Sequence, residues 1–384
     1  MTGKVCCISR EPGGAEAIAL TVKSRPSEEY LLIGKDYACS VYDKHRLDYK
    51  QYEGNTQEDL SCFLEKLGEN SIGAFLTSAT SLPEQDMTEK YTWQWARQNN
   101  IPSVAILDQW QNYRGRFSGP EMSQVLQYLP TVICAMDESA KRGLVLDGIP
   151  EERIKITGQP SLARMRRCML DGSHKERQAI RKQLHCGEDS LLMVFISEPF
   201  TASMGQEIGF TEISILDELL SYLSDRLWMD EKKGKASSLQ LIIKLHPKNR
   251  LDIFIPIEKR YKNIWGKLKI IVLKDEIGKD QLLQASDMVV GMCSIMLMEA
   301  VALGKTVVSL QIGAKRRDWC EAVNQGIIPF IATSEDKTRL LDSLLDNEQF
   351  LNSYNESIRN YPVISDAEDL IWSVIQEVRS KKIN

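Results

Sequence analysis

The chain has 384 residues, of which 43% are hydrophobic and 26% charged, with a formal net charge of -5. That length exceeds a single core and points to two or three domains at about 150 residues each. The composition excludes an extensively disordered chain, and the acidic balance argues against a broad nucleic-acid footprint.

Short β-rich apolar runs alternate with segments of helical period almost from end to end, the pattern of a parallel sheet with crossover helices. In the first half, strands are expected at 4–9, 30–34, 72–77, 103–108, 131–136 and 153–157. The turn ITGQPSLARM then breaks regular structure with Gly158 and Pro160, which places a hinge between an amino-terminal domain at 1–158 and a second domain at 159–362. The second half restarts the alternation at 191–197, 239–245, 269–273, 288–291, 306–310 and 327–332, so the expected architecture is α/β, two doubly wound Rossmann-like domains facing a central cleft. The tail at 363–384 carries a helical stripe of Leu370, Ile371, Val374, Ile375 and Val378 that must bury its face, and packing back across the hinge is one way to do so.

Cellular setting follows from three observations. The nine cysteines are odd in number and scattered, with Cys6 and Cys7 adjacent in an apolar run, which reads as reduced thiols rather than a disulfide framework. No apolar run reaches the roughly 20 residues needed to cross a bilayer. The start MTGKVCCISREPGG lacks a signal-peptide core, so a cytoplasmic location is expected, with at most peripheral contact at the inner face of a membrane.

Ligands of open parallel sheets bind beyond the carboxyl ends of the strands, where helix N-termini present free N–H groups. The rule converts the second-half strands into a site. Ser197, Glu198 and Pro199 end one strand, ahead of a loop with Ser203 and Gly205, and His246, Pro247 and Lys248 end the next. Cys293 and Ser294 follow Gly291, and Ser294 is placed to cap a helix whose dipole favours a phosphate by about 0.3–1 kcal/mol. Glu299 lies one turn along that helix, where a carboxylate can accept from sugar hydroxyls. Gln311, Gly313, Lys315, Arg316 and Arg317 close the set, with flexible backbone followed by cations. Together these loops describe a pocket for a phosphorylated, hydroxyl-rich ligand such as a nucleotide. The bland alternatives are a locally satisfied strand-end histidine, a plain N-cap at Ser294 and a solvated cluster at Lys315–Arg317. No strongly placed acid follows the second strand and PGGAEA lacks the spaced third glycine, so this is no dinucleotide fingerprint.

The stretch ASDMVVGMCSIMLMEAVALGKTVVSLQIG, preceded by KLHPKN and by the TGQP turn, resembles the carboxyl-terminal domain of glycosyltransferases of the GT-B fold. That superfamily includes nucleotide-sugar transferases of cell-envelope synthesis and the related non-hydrolysing sugar epimerases. The strand ending in Lys-x-His-Pro is similar to the transferases that use cytidine-activated donors, among them bacterial sialyl- and Kdo transferases and polyol-phosphate polymerases. The resemblance implies that His246 contacts the nucleotide phosphate, with Pro247 fixing the turn and Lys244, Lys248 and Arg250 supplying positive potential. A phosphate there would raise the histidine from its usual value of about 6.5 toward the charged donor form. Cys293 and Ser294 stand where paired Ser or Thr is common in those families, which leaves uridine donors open behind cytidine ones.

The same resemblance assigns the acceptor to the first half. The turn SREPGGAEAIAL is similar to the glycine-rich turn of Kdo and related transferases, so Gly13 and Gly14 are expected at the acceptor and Glu16 as the base, with Asp108 the second candidate. Trp110, Tyr113, Arg114 and Arg116 add aromatic faces and guanidinium forks suited to a sugar or anionic acceptor. No Asp-x-Asp occurs, and His45, His174, His185 and His246 show no metal-ligand spacing with the cysteines. The expected function is therefore a metal-independent, inverting transferase that needs no cofactor. It would move a sugar or polyol phosphate from a CMP- or CDP-linked donor to a glycan, lipid-linked or protein acceptor in surface polysaccharide or glycoconjugate synthesis. The alternatives are a nucleotide-sugar 2-epimerase or hydrolase of the same fold, and a non-catalytic nucleotide-sugar-binding protein.

Overall fold

A computed structural model describes residues 3–68, 71–171, 174–201, 205–235, 238–262, 268–274, 276–316 and 320–381. The chain divides into two compact units, the first formed by residues 1–164 and 363–384 and the second by residues 165–362.

The first unit runs β1 (Lys4–Ser9), α1 (Pro12–Val22), β2 (Tyr30–Gly34), α2 (Tyr37–His45), β3 (Lys50–Gln51), α3 (Gln57–Leu67), β4 (Ile72–Thr77), α4 (Thr88–Gln98), β5 (Ser103–Ile106), α5 (Tyr113–Arg116), β6 (Val132–Ala135), α6 (Glu138–Leu146) and β7 (Ile154–Ile156). Its seven strands are all parallel, in the order β3-β2-β1-β4-β5-β6-β7, so the chain reverses its direction of travel across the sheet between β1 and β4. Both faces of β1 are buried, because alternate side chains serve opposite layers. Val5 and Cys7 join the cluster with Ala15, Ile18 and Val22 of α1, while Cys6 and Ile8 join Leu60, Leu64 and Trp95 on the other face.

After α7 (Pro160–Asp171), the second unit contains α8 (His174–Gln183), β8 (Leu191–Ile196), α9 (Gly205–Ile208), α10 (Glu212–Lys232), β9 (Leu239–Lys244), α11 (Ile255–Lys262), β10 (Leu268–Leu273), α12 (Lys279–Ala285), β11 (Met288–Gly291), α13 (Ile295–Ala302), β12 (Thr306–Ser309), α14 (Glu321–Asn324), α15 (Ser334–Asp346) and α16 (Glu348–Arg359). Its sheet is also fully parallel, β10-β9-β8-β11-β12, with the reversal between β8 and β11. Met193 and Phe195 of β8 and Leu241 and Ile243 of β9 pack under Ile215, Leu219 and Leu223 of α10. Each such buried apolar side chain is worth about 1.5–3 kcal/mol.

The final helix, α17 (Ala367–Ser380), belongs to the first unit. Ile371, Trp372, Val374, Ile375 and Val378 enter the cluster with α1, and the Arg25 guanidinium stands 5.4 Å from the Trp372 ring centre. Leu370, expected in the buried stripe, is instead 36% exposed, and Trp372 takes its place. One further expectation is corrected. The segment 327–332 is not a strand: it makes one parallel bridge, Leu310 to Ile331, and Pro329 has no N–H to give a ladder. The two-residue β3, Lys50–Gln51, was absent from the sequence reading because both residues are polar and exposed. Among the described residues, no helix is long and apolar enough to cross a membrane.

Candidate functional site

The strand reversal in the second sheet is where a ligand crevice is expected, and the loops that leave β8 and β11 flank it. Ser197 and Glu198 follow β8; Cys293 and Ser294 lie between β11 and α13. The two loops touch directly, because the Cys293 backbone N–H donates to Glu198 Oε2 at 2.9 Å. Burial pushes the Glu198 carboxyl up to about 7, against the pull of the Cys293 and Ser294 amides. The Cys293 thiol is raised well above its ordinary value by burial and then by Glu198. Ser294 is the N-cap of α13, its Oγ accepting the Met296 N–H at 3.3 Å. The turn expected at a ligand is thus also the cap of α13.

His246 is positioned by its own turn. Asn249 Oδ1 accepts the His246 N–H at 2.9 Å, and Asn249 Nδ2 donates to Glu212 Oε1 at 3.2 Å. Glu212, at the first position of α10 and 1% exposed, also accepts from the Thr201 N–H and hydroxyl at 2.8 and 3.0 Å. The Lys248 N–H donates to His246 Nδ1 at 3.1 Å, which makes Nδ1 the acceptor and leaves the ring proton on Nε2. Burial, then Lys248 and Lys244, lower the imidazole to about 4. In the absence of a phosphate the ring is thus a neutral Nε2–H donor rather than the cation expected with one bound. Pro247 and Lys248 are exposed beside it.

Gln311 and Glu299 are more deeply set than the sequence implied. Gln311 is fully buried, with Nε2 on Ser309 Oγ at 3.0 Å and near Met292 O at 3.5 Å, while its Oε1 has no hydrogen-bond partner. Glu299 is also fully buried, paired through Oε1 with Lys279 Nζ of α12 at 2.5 Å, and its Oε2 is unpartnered. Its expected role at a sugar hydroxyl has to contend with that pairing. Ser197 Oγ is buried without a partner as well. Lys315 is exposed, and its Nζ donates to Gln206 O at 2.6 Å, so it ties its loop to α9. Ser203 and Arg317 lie outside the described residues.

In the first unit the turn between β1 and α1 meets the loops after β4 and β5. A Cβ on Gly14 would lie 2.1 Å from Ser78 Cβ, and one on Gly13 would lie 2.5 Å from Asp108 Oδ2. Only glycines permit that approach. Asp108 Oδ1 accepts from Arg116 Nη1 at 3.0 Å. Glu16 is paired on both oxygens: Oε2 meets His45 Nε2 at 2.8 Å and Oε1 meets Arg164 Nη2 at 3.1 Å. A base at Glu16 would act from within those two contacts.

Three of the four expected acceptor side chains are turned to structural work. Arg116 is 4% exposed and also donates to Ala79 O and Gln111 O at 2.5 and 3.0 Å. Trp110 is buried with Nε1 on Asp137 Oδ2 at 2.9 Å, and the Tyr113 ring packs so tightly on Gly143 that a Cβ there would sit 2.2 Å from it. Arg114 alone is exposed. The sequence reading missed a buried polar cluster at the ends of β2 and β4. Lys35 Nζ binds Asp86 Oδ2 at 2.6 Å with both side chains 3% exposed, and Glu89 Oε1 accepts from Ser78 and Thr80 at 2.6 and 3.0 Å. Burial raises Glu89 and lowers its neighbour Lys90 to about 8. Lys35 directly follows β2, so the strand-end rule could have found it.

No protein-family model matches the chain, and no curated protein matches it significantly in sequence. Solved structures do match in fold. The UDP-GlcNAc 2-epimerase of Neisseria meningitidis, solved with UDP-GlcNAc, superposes with a TM-score of 0.66 at 15% identity, covering 97% of this chain and 100% of that one. The UDP-GlcNAc 2-epimerase of Methanocaldococcus jannaschii gives 0.61 at 14%, covering 97% and 99%. HepE of Anabaena, in complex with UDP and glucose, gives 0.63 at 11%, covering 99% and 100%. At these identities the likeness establishes the fold: two parallel-sheet, Rossmann-like units of the GT-B type.

Proposed function

We propose that the chain is a nucleotide-sugar enzyme whose second unit holds the nucleotide phosphates at the β8/β11 reversal, and that it epimerises a UDP-linked sugar at C2. The observation that carries the reading is the placement, after the carboxyl ends of strands β9, β8, β11 and β12 of one sheet, of a neutral histidine donor, a helix N-terminal turn at Cys293–Ser294 and buried polar atoms without partners at Ser197 and Gln311. Backbone amides at a helix N-terminus suit phosphate oxygens and an Nε2–H suits a further one. Unpartnered buried acceptors suit hydroxyl or imide donors of a nucleotide, reached directly or through water.

Epimerisation comes ahead of transfer for two reasons. The structural relatives described as 2-epimerases align over nearly the whole of both chains. Glu16, the first candidate for activating an acceptor hydroxyl, is held by His45 and Arg164. Inverting C2 requires a proton to leave one face of the sugar as its electron pair expels the anomeric phosphate, and a proton to arrive on the other face as the phosphate returns to C1, so acid–base groups are needed but no acceptor. Asp108 is the residue of the first unit that we assign to proton transfer. The second reading, transfer from a cytidine-linked donor to a glycan, lipid-linked or protein acceptor, is favoured by the Lys244-x-His246-Pro247 strand end. Under either reading we assign no metal.

Proton NMR of UDP-N-acetylglucosamine incubated with the protein in deuterated buffer, without acceptor, tests the choice. Appearance of the C2 epimer carrying deuterium at C2 is the expected result. An inert donor that is consumed only when an acceptor is supplied would replace epimerisation by transfer, and saturable binding without turnover would leave a binding protein.

A further inference from the structure

Glu198 follows β8 by two residues at the reversal point, and its Oε2 accepts the Cys293 N–H at 2.9 Å, with the Ser294 amide also bearing on the carboxyl. Those amides open α13 (Ile295–Ala302), where the helix dipole favours negative charge. A second, independent feature marks the same turn as one built for a ligand. Gln311 is fully buried and reaches the turn through Nε2 near Met292 O at 3.5 Å, yet its Oε1 has no partner, and the same is true of Oγ of Ser197, 2% exposed and adjacent to Glu198. The protein therefore already places an anion of its own where a phosphate oxygen would be received.

We propose that Glu198 is an internal occupant of the phosphate turn, holding the Cys293 and Ser294 amides in the ligand-free protein and taking up one proton from solvent when a donor phosphate arrives there. The inference rests on the donor-binding reading above. A phosphate and a Glu198 carboxylate at the same amides would repel each other in a poorly solvated place, whereas a protonated carboxyl offers an O–H to the phosphate. Among the described residues, the titratable groups that bear on Glu198 include Glu212 from α10, Cys293 before α13 and Cys320 before α14. None of these three is a cation, and burial with Glu212 already raises the carboxyl to about 7, so the proton costs little near neutrality. Glu198 would then act as a specificity-determining residue, weakening phosphate binding as the solution becomes alkaline.

Calorimetric titration of UDP-N-acetylglucosamine into the full chain tests this, because its diphosphate diester neither gains nor loses a proton between about pH 6 and 9. Heats in two buffers of different ionisation enthalpy report proton uptake, and the comparison with Glu198→Gln separates Glu198 from His246. The expected results at pH 8.5 are about one proton fewer taken up by Glu198→Gln than by the wild type, and roughly tenfold tighter binding by the variant. The wild type alone should weaken by roughly tenfold from pH 6.5 to 8.5. Equal affinity and equal proton uptake in the two proteins would overturn the role of Glu198 while leaving the donor site standing. Absence of binding by both would remove the donor reading and this inference with it.

Discussion

Gly13 lies so close to Asp108 that a Cβ on the glycine would stand 2.5 Å from the carboxylate Oδ2. The start of α1 and the end of β5 thus present a backbone turn and a carboxylate side by side, with Arg116 holding the other oxygen at 3.0 Å. Asp108→Asn should lower kcat by at least about a hundredfold, as expected for loss of a general acid or base. Glu16→Gln should cost less than about tenfold in kcat but lower the Tm, because it dismantles contacts to His45 and Arg164. Parallel kcat and Tm measurements on both variants decide it, and a larger kcat loss in Glu16→Gln would restore Glu16 as the base.

Gly14 tests the packing behind that turn. A methyl there would meet Ser78 Cβ at 2.1 Å and disturb the Ser78 hydroxyl that donates to buried Glu89. Gly14→Ala should destabilise the protein by about 1–3 kcal/mol in urea unfolding. A change below about 0.5 kcal/mol would mean the turn has room that the structure denies it.

The expectations drawn from sequence succeeded where a rule acts locally. Parallel strands buried on both faces read as unbroken apolar runs, which is why VCCI in β1 and LIIK in β9 were visible, β1 with the bounds expected and β9 one residue shorter. The strand-end rule then placed Ser197, His246, Cys293, Ser294 and Gln311 at one end of one sheet, because each follows a strand within a few residues. Tertiary pairing was illegible. Nothing local says that Arg116 is consumed by Ala79 and Asp108, or that Trp110 reaches Asp137 across 27 residues. Glu198 was in plain view at a strand end, but its partner is 95 residues away, and only the fold shows that it sits on the α13 amides.

The pair Lys279–Glu299, with a fully buried carboxylate and a partly exposed ammonium, offers a stability test. Lys279→Met leaves the fully buried Glu299 without its cation and should cost about 3–5 kcal/mol at pH 7. The double variant Lys279→Met, Glu299→Gln should recover part of that loss, since the uncompensated charge is gone. Chemical denaturation of the three proteins gives the coupling directly; a double variant no more stable than Lys279→Met would show that the charge is not what matters.

His246 supplies a pH dependence with a definite sign. Its folded value of about 4 lies below the ordinary 6.5, so the folded protein resists protonation that the unfolded chain accepts. Its contribution is therefore complete above pH 6.5 and is lost as the pH falls from 6.5 toward 4. Unfolding free energies at pH 7 and 4.5 should differ by about 1–2 kcal/mol less in His246→Gln than in the wild type, with allowance for partial exposure. Identical pH slopes would show that the imidazole is not desolvated.

The central claim, that the second unit receives nucleotide phosphate at the ends of β8, β9 and β11, is tested most directly by calorimetric titration of UDP into the wild-type chain and into His246→Ala at pH 6.5. The account predicts saturable binding at one site, weakened by roughly tenfold in the variant as a charge-assisted phosphate contact is lost. No binding by the wild type at millimolar UDP, or an affinity untouched by His246→Ala, would contradict it.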